Sequence, residues 1–252
     1  MASVKDDCKQ MNETETKYYL GGYYLTRLRP KTYGDEKGNL IYTCSECIND
    51  HILDIWSYSW TTDNNQQIDK IKDDYGFSNK QIDEIRTWVD QKSNDNKIGF
   101  LNGFTDLETA IEYKRKFFNN MKNVKVFALY FDTKERTDIL EEFKPQSEKF
   151  GEIGLRLTLL KEIEEQENEV LIGYDYIGIE SGGSFHTFHC HDIGKVLSDK
   201  FGLTLNKFGL FDSNINSKQV LDYLNDEENG CEPVPWFITK TKLMTNDYNT
   251  SH

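Results

Sequence analysis

The chain lacks the features that would place it in several common protein classes. Its 252 residues include only five cysteines, five histidines and four prolines, and no stretch approaches the roughly 20 apolar residues that a membrane span needs. An odd cysteine count without framework spacing favours reduced thiols over a disulfide scaffold. The polar, acidic segment 1–17 has no apolar core of a secretion signal. We therefore expect a cytoplasmic protein that does not associate with membranes.

Basic character is also scarce, above all in the second half of the chain. Residues 1–132 carry 18 Lys and Arg against 21 Asp and Glu, whereas residues 133–252 carry 12 against 22, so the formal net charge of −13 is placed unevenly. An acidic surface repels nucleic acid and accelerates encounter with basic proteins. There is no glycine-rich phosphate loop and no basic-aromatic stripe. The charge predicts a protein partner rather than nucleic acid; the alternative is that the acid only maintains solubility.

What the chain does contain is an internal repeat. The segment 20–24, Leu-Gly-Gly-Tyr-Tyr, returns at 171–175 as Leu-Ile-Gly-Tyr-Asp, and a cysteine-containing stretch, a Gly-Phe or Gly-Leu-Phe turn and an aromatic strand follow each copy in the same order. Internal similarity of this kind predicts architecture. We predict an α+β fold of two similar strand-helix-strand-helix-strand halves, with helices packed on one side of an antiparallel or mixed sheet.

Periodicity and turn residues set the expected boundaries. The predicted organisation is a disordered lead at 1–16, a first half at 17–132 with a helical insertion at 59–97, a linker at 133–152, a second half at 153–244 and a tail at 245–252. Strands are predicted at 18–28, 97–101, 124–131, 155–163, 170–180, 203–206 and 236–243, with 155–163 and 170–180 forming a hairpin. The nearly continuous apolar character of 124–131 predicts a central place in its sheet. Helices are predicted at 45–58, 66–75, 79–92, 106–119, 186–200 and 216–226, and the linker is expected to be helical.

A histidine cluster is the strongest candidate for chemistry. Three of the five histidines lie within 186–191, His-Thr-Phe-His-Cys-His, and imidazole with thiolate is the ligand set that zinc prefers. If the two halves face each other, Cys44 and Cys47 could meet His189 and His191 in a zinc site. This is the hypothesis of a metal-dependent enzyme or a zinc-stabilised protein; the alternative is that the cluster packs and caps a helix.

Other catalytic arrangements find less support in the sequence. Adjacent residues on a helix point about 100° apart, so Cys190 and His191 cannot form a dyad with each other. The turn at 181–184, Ser-Gly-Gly-Ser, is explained by a strand-to-helix connection with a serine cap. Dense acidic runs argue against acid–base catalysis, which needs a few desolvated carboxylates. We predict no catalytic residue, and hence a protein that is not an enzyme.

The acidic runs instead suggest a docking surface, with a solvated face as the alternative. Acidic residues supply steering and paired charges at the rim of an interface, and aromatic residues supply its centre. The candidate partner-binding residues are Asp175, Glu180, Asp226, Glu227, Glu228, Glu232 and Trp60. Self-association through the tyrosine-rich strand at 18–28 is a further possibility, because tyrosine is favoured at interfaces.

Four segments of the second half carry a resemblance to a known class of proteins. They are Gly173-Tyr174, 184–190 (Ser-Phe-His-Thr-Phe-His-Cys), 206–210 (Asn-Lys-Phe-Gly-Leu) and 232–237 (Glu-Pro-Val-Pro-Trp-Phe). The region around them, 170–240, resembles small bacterial immunity-type proteins that accompany polymorphic or contact-delivered toxins. The resemblance implies a cytoplasmic inhibitor that binds a cognate toxin, expected to be basic, and blocks its active site. It supplies no catalytic residue and no cofactor.

Overall fold

The fold is a single antiparallel sheet with helices on both faces. The computed structural model describes residues 16–51, 69, 72–99, 103–145, 154–165, 169–181 and 183–244. The strands are β1 (Tyr18–Arg27), β2 (Asp50–His51), β3 (Ile98–Gly99), β4 (Gly103–Phe104), β5 (Val124–Asp132), β6 (Val170–Ile179), β7 (Phe185–Thr187) and β8 (Trp236–Leu243). The helices are α1 (Asn79–Asn94), α2 (Leu107–Phe117), α3 (Thr133–Glu142), α4 (Gly154–Leu159), α5 (Gly194–Phe201) and α6 (Ser217–Leu224), with 3-10 helices at Phe188–His191 and Glu227–Asn229. This confirms the predicted α+β class.

The strand order shows how the two halves are joined. It runs β3-β4-β1-β5-β8-β6-β7, with β2 also pairing with β1, and the pairings between these strands are antiparallel. The junction is the pairing of β5 with β8, from Phe127 opposite Leu243 to Tyr130 opposite Lys240. The halves therefore share one sheet. The central place predicted for the apolar strand 124–131 is confirmed, since β5 lies between β1 and β8.

Both faces of the sheet are buried, whereas the sequence analysis expected helices on one side only. Alternate residues of a strand point to opposite faces, and in β5 both sets are apolar. Val126, Ala128 and Tyr130 pack with α1 and α2, while Phe127 and Phe131 pack with α3 and α4 on the other face. Helices α5 and α6 cover the face that carries Trp236 and Ile238 of β8. The prediction of one-sided cover was wrong because both apolar sets need burial.

The repeated segments 20–24 and 171–175 occupy equivalent places in the sheet. A β-bulge interrupts β1 opposite β5 between Leu20 and Gly22, and another interrupts β6 opposite β8 between Leu171 and Gly173. Both glycines adopt nearly the same unusual backbone conformation, with φ of 146° and 145°, which side-chain-bearing residues rarely adopt. The two halves are therefore alike in this structural detail. Origin by duplication stays a prediction.

The bulges contribute to a strongly curled sheet, since a β-bulge bends its strand and increases the local twist. Three strands separate β1 from β7, which in a flat sheet would place them about 19 Å apart at about 4.8 Å per step. The ring centroids of Tyr24 in β1 and Phe185 in β7 nevertheless lie 5.3 Å apart. The curl thus brings one end of the sheet over the other.

Several predicted elements differ from the observed ones. Residues 155–159 belong to α4 rather than to a strand, because Leu155, Thr158 and Leu159 are buried at helical spacing. The predicted hairpin with 170–180 is wrong, since β6 pairs with β7 and β8. The predicted helix 186–200 is divided into the end of β7, a 3-10 helix and α5, with Asp192 in the left-handed conformation at φ 58°.

The N-terminal part of the predicted helix 45–58 is also not helical. Residues 46–48 form a turn that leads into β2, while 52–58 lie outside the described residues. The strand predicted at 203–206 is reduced to an isolated bridge between Leu205 and Phe211. Of the helix predicted at 66–75, Asp69 and residues 72–75 are helical. Of the disordered lead predicted at 1–16, residues 1–15 lie outside the described ranges, as does the tail predicted at 245–252.

The segments expected to be peripheral contribute to the core. Within the predicted insertion, α1 buries Ile82, Ile85, Trp88 and Val89. Within the predicted linker, Ile139 of α3 is fully buried against the sheet. Of the helices that the structure describes, none has the length and apolar character of a membrane span.

The bulge glycines should differ in how well they tolerate a side chain. A Cβ atom on Gly173 would lie 2.6 Å from Leu210 Cβ and 3.0 Å from the carbonyl oxygen of Phe211, whereas one on Gly22 would lie 3.2 Å from the ring of Tyr24. We expect Gly22→Ala to lower the free energy of unfolding by about 1–3 kcal/mol through backbone strain, and Gly173→Ala to lower it further. Urea denaturation measures both. Gly202→Ala, at φ 68° in open space, is the control, and equal losses for Gly22 and Gly173 would contradict the packing difference.

Candidate functional site

One loop of the first half reaches across the curled sheet to the second half. Residues 42–49 hydrogen-bond to distant segments through Tyr42 N, which donates to Phe208 O at 2.9 Å, and Glu46 N, which donates to Phe185 O at 3.2 Å. The loop is stabilised internally by the buried Asn49, whose Nδ2 donates to Ile41 O and Thr43 O at 2.8 and 2.9 Å. The loop is therefore held against β7.

A buried carboxyl group links this loop to β7. Asp175 on β6 is 2% exposed, and its Oδ2 accepts a hydrogen bond from Thr43 Oγ1 at 2.6 Å, while Oδ1 accepts one from Thr187 Oγ1 at 2.8 Å. Burial raises the pKa of Asp175. The two threonines lie close in sequence to Cys47 and His186, so Asp175 positions both of those residues.

The turn between β6 and β7 places a carboxylate beside a histidine. Glu180 N donates to Ser184 O, and Gly183 N donates to Glu180 O, at 3.0 and 2.7 Å. In β7, Phe185 and Thr187 point inward while His186 is half-buried on the outer side. Glu180 Oε1 then lies 2.8 Å from His186 Nε2.

Cys47, His186 and Cys190 form the thiol–histidine cluster. Cys47 Sγ lies 3.1 Å from His186 Nδ1, and the three ligand atoms Sγ, Nδ1 and Sγ all lie within 4.8 Å of one another. Cys190 Sγ also accepts from Thr187 N at 3.4 Å and lies 3.5 Å from Ser45 Oγ. Cys47 is exposed, while the other two are half-buried, so the cluster opens to solvent on the Cys47 side.

The electrostatics of the cluster favour an ionised Cys47. Hydrogen bonds from Cys190 and His186 lower the pKa of the Cys47 thiol, whereas the bond to Cys47 and burial raise the pKa of Cys190. Hydrogen bonds with Cys47 and Glu180 raise the pKa of His186 to about 9. A thiolate beside an imidazole that a carboxylate orients is the arrangement of an activated nucleophile. The same two sulfurs and one nitrogen are also ligands that zinc prefers.

The zinc ligands expected from sequence are only partly brought together. Cys47 belongs to the cluster, but Cys44 points into the core and is 2% exposed. His189 is buried, with Nε2 2.7 Å from Gly209 O and Nδ1 3.6 Å from Glu36 Oε2. His191 Nε2 accepts from the backbone N of Glu232 at 3.1 Å. The structure therefore does not bring the predicted set of four together; His186 and Cys190, rather than Cys44, His189 and His191, lie next to Cys47.

A buried ion-pair network anchors the segment next to the cluster. The ammonium group of Lys31 is fully buried and lies 2.8 Å from both Glu36 Oε2 and Asp192 Oδ1. The adjacent imidazole of His189 and the ammonium of Lys31 lower the pKa of Glu36 to about 2. This network attaches the segment 31–36 to the second half of the chain, and Asp175 attaches the loop at 42–49 that follows it.

A second feature is an acidic groove between α3 and α6. It has a volume of about 420 Å³, and Pro235, Trp236 and Phe237 form part of its wall. Its charged lining consists of five carboxylates and two amines: Asp132, Glu135, Asp138, Glu142, Asp222, Lys134 and Lys218. Glu135 is 4% exposed, its Oε2 accepts from Ile238 N at 3.1 Å, and burial raises its pKa to about 6.

The predicted partner-binding residues that the structure describes fall into three groups. Asp226, Glu227 and Glu228 are exposed, and they follow directly on Asn225 of the acidic groove. Glu180 contacts His186 of the thiol–histidine cluster, and the half-buried Glu232 lies beside His191, to which its backbone N donates. Asp175 is buried and cannot contact a partner in this conformation, which corrects its assignment. Trp60 lies outside the described residues.

Self-association through the edge of β1 is not compatible with the sheet. Both edges of β1 are hydrogen-bonded, one to β5 along its length and the other to β2 and β4. A second copy would have no free edge there to pair with.

Comparisons with protein-family models, with curated proteins and with solved structures find no match to this chain.

Sequence reasoning identified members of the cluster without finding their contacts. Cys47 and His186 are 139 positions apart, and no local spacing relates them. The available signal was that both stretches follow equivalent repeat segments. The acidic groove was missed because its residues alternate with core positions on α3 and α6, a pattern that also describes any solvated helix face.

The link through Asp175 predicts a specific stability loss. Thr43→Val removes the bond to Asp175 and also the bond that Ser45 N donates to Thr43 Oγ1 at 3.1 Å. We expect a loss of about 2–3 kcal/mol in the free energy of unfolding, because buried groups are left without partners. Urea denaturation provides the measurement. The control is Thr239→Val, equally buried with a single 3.3 Å bond to Tyr130 O, for which about 1 kcal/mol is expected. A loss no larger than that of the control would contradict the role of Asp175.

The buried carboxyl group of Glu135 predicts a pH-dependent stability. Its pKa of about 6 in the folded protein exceeds the ordinary value of 4.5, so the folded state binds the proton more tightly. The resulting stabilisation is present below pH 4.5 and is lost as the pH rises through 6. We expect Glu135→Gln, which keeps an acceptor for Ile238 N, to be about 1–2 kcal/mol more stable than the parent at pH 7.5.

The gain should vanish near pH 4.5, and chemical denaturation at both pH values gives the comparison. Asp138→Asn, at an exposed position on the same helix, should change the stability by less than about 0.5 kcal/mol. A Glu135→Gln gain that persists unchanged at low pH would show that burial of the charge is not its cause.

Proposed function

We propose that this chain is an acidic binding protein for a basic protein partner, acting in the cytoplasm as an immunity protein that neutralises a toxin by covering its active site. The observation that carries the proposal is the acidic groove between α3 and α6. The resemblance of region 170–240 to immunity-type proteins motivates the identity of the partner, and the free thiols of Cys44, Cys47, Cys190 and Cys231 are in keeping with a reducing compartment.

The charge of the groove fits a basic segment. Its two lysines already pair with carboxylates on their own helices, Lys134 with Asp138 and Lys218 with Asp222, each at 2.7 Å. Lys134 also lies 3.5 Å from Glu135 Oε1, and Asp132 and Glu142 remain in excess. The groove then continues into the exposed run 226–228, so that one negative surface extends from α3 past the end of α6. Such a surface increases the association rate with a positively charged partner.

Strand β8, at the base of the groove, is held in place by hydrogen bonds. The pairing of β5 with β8 ends at Tyr130 opposite Lys240, and Glu135 on α3 supplies the acceptor for Ile238 N. The aromatic side chains of Trp236 and Phe237 line the same wall. Trp236 and Phe237 are only 3% and 5% exposed, so we expect the carboxylates at the rim of the groove to make the contact with the partner.

Co-expression with the product of the neighbouring gene, followed by affinity capture and a toxicity assay, tests the proposal. We expect a stable complex and rescue of the cells from toxicity. Failure to form a complex together with failure to rescue would refute the proposed function.

Charge reversal in the groove locates the contact. Asp138→Lys combined with Asp222→Lys should weaken binding at least tenfold, mainly through a slower association rate, because charges at the rim of an interface act on the encounter of the two proteins. The association rate should also depend less on salt concentration. Binding kinetics at two salt concentrations give both quantities. The matched control is Asp83→Lys with Glu84→Lys, two exposed acidic residues of α1 that also form local ion pairs. An equal effect of both double variants would place the contact elsewhere.

A further inference from the structure

The thiol–histidine cluster has a donor set that the proposed partner binding does not use. Two cysteine sulfurs and one imidazole nitrogen converge from three different segments, the loop at 42–49, β7 and the following 3-10 helix. The core cysteine Cys44 and the half-buried Cys231 do not share in it. Soft sulfur with imidazole is the combination that selects zinc over magnesium or calcium.

The distances suit a metal ion at the centre of the cluster. In a tetrahedral zinc site, with Zn–S of about 2.3 Å and Zn–N of about 2.0 Å, ligand atoms lie about 3.5–3.8 Å apart. The three atoms here lie within 4.8 Å of one another, and the closest pair, Cys47 Sγ and His186 Nδ1, is at 3.1 Å. A zinc ion at the centre would require this pair to widen from 3.1 Å to about 3.5 Å.

Outer groups already orient the ligands. Glu180 Oε1 lies 2.8 Å from His186 Nε2, which leaves Nδ1 directed at the two sulfurs. Carboxylate–histidine pairs of this kind accompany zinc ligands in proteins and fix the ring orientation. Thr187 N donates to Cys190 Sγ at 3.4 Å. The preformed orientation distinguishes this cluster from an accidental meeting of side chains.

We propose that Cys47, His186 and Cys190 bind one Zn²⁺ ion, with the fourth position open to solvent and filled by water. The open position follows from the exposure of Cys47 and from the three-membered donor set among the described residues. His191 is not the fourth ligand through Nε2, because that atom accepts from Glu232 N. The ion joins the loop at 42–49 to the second half of the sheet. The site is independent of the acidic groove.

Cobalt and zinc binding to the untagged full-length protein test the site, with Co²⁺ as the spectroscopic probe. We expect the metal-depleted protein to bind one equivalent of Co²⁺, with a thiolate charge-transfer band in the near ultraviolet and the visible bands of tetrahedral cobalt. Zn²⁺ should displace the cobalt and raise the melting temperature, because a ligand that binds only the folded state stabilises it.

Variants assign the ligands. Cys47→Ser and Cys190→Ser should each weaken zinc binding at least 100-fold and diminish the charge-transfer band, and Glu180→Gln should weaken it about 10–100-fold. Cys231→Ser, a free cysteine outside the cluster, should leave affinity and spectrum unchanged. Circular dichroism of each variant verifies folding. Cys47→Ser is the decisive variant, because Cys47 is exposed and its substitution should leave the fold intact.

Two results would overturn the proposal. Absence of the charge-transfer band in the parent protein, or an unchanged band in folded Cys47→Ser, would exclude these ligands. Rapid alkylation of Cys47 by iodoacetamide in a protein that binds no metal would instead identify the cluster as a metal-free reactive thiol.

Discussion

The curl of the sheet is the constraint on which the other features of this molecule depend. Bulges at Gly22 and Gly173 bend β1 and β6 at equivalent points, and the bent sheet brings Tyr24 within contact of Phe185. The loop at 42–49 can then lie against β7 and pair its polar groups with Asp175. In a flat sheet the same loop would have to span about 19 Å between these strands. The cluster therefore depends on the backbone bends at these glycines as well as on its own side chains.

The central pairing of β5 with β8 explains why the two candidate surfaces are distinct. It unites the halves, but it covers only the second half of β8. The first half of β8 does not pair with β5. There Glu135 accepts a hydrogen bond from Ile238 N, and α3 and α6 lie on either side, which creates the acidic groove. The thiol–histidine cluster forms instead where the first half of the chain folds over β7. One surface is made of carboxylates, and the other is a compact set of soft donors.

The resemblance between the halves also shows how similar scaffolds acquire different surfaces. At the position where the first segment has the buried Tyr24, the second has the buried Asp175. The tyrosine packs on Phe185, while the aspartate accepts bonds from Thr43 and Thr187. Both side chains therefore make a contact between the halves, Tyr24 with Phe185 and Asp175 with Thr43. The charge asymmetry follows the same division, because the groove is lined mainly by residues after position 131.

The sequence by itself determined the α+β class, the central apolar strand, most helix positions and the acidic character of the second half. Those properties depend on local periodicity and composition, which a single chain displays directly. It suggested the cysteines and histidines as candidate ligands but paired them wrongly, and it read 155–163 as a strand. Only the tertiary structure decided that Cys47 meets His186 across 139 residues and that Asp175 is buried. Such contacts depend on strand order, register and curl, and these are set by the packing of the whole chain rather than by any segment of it.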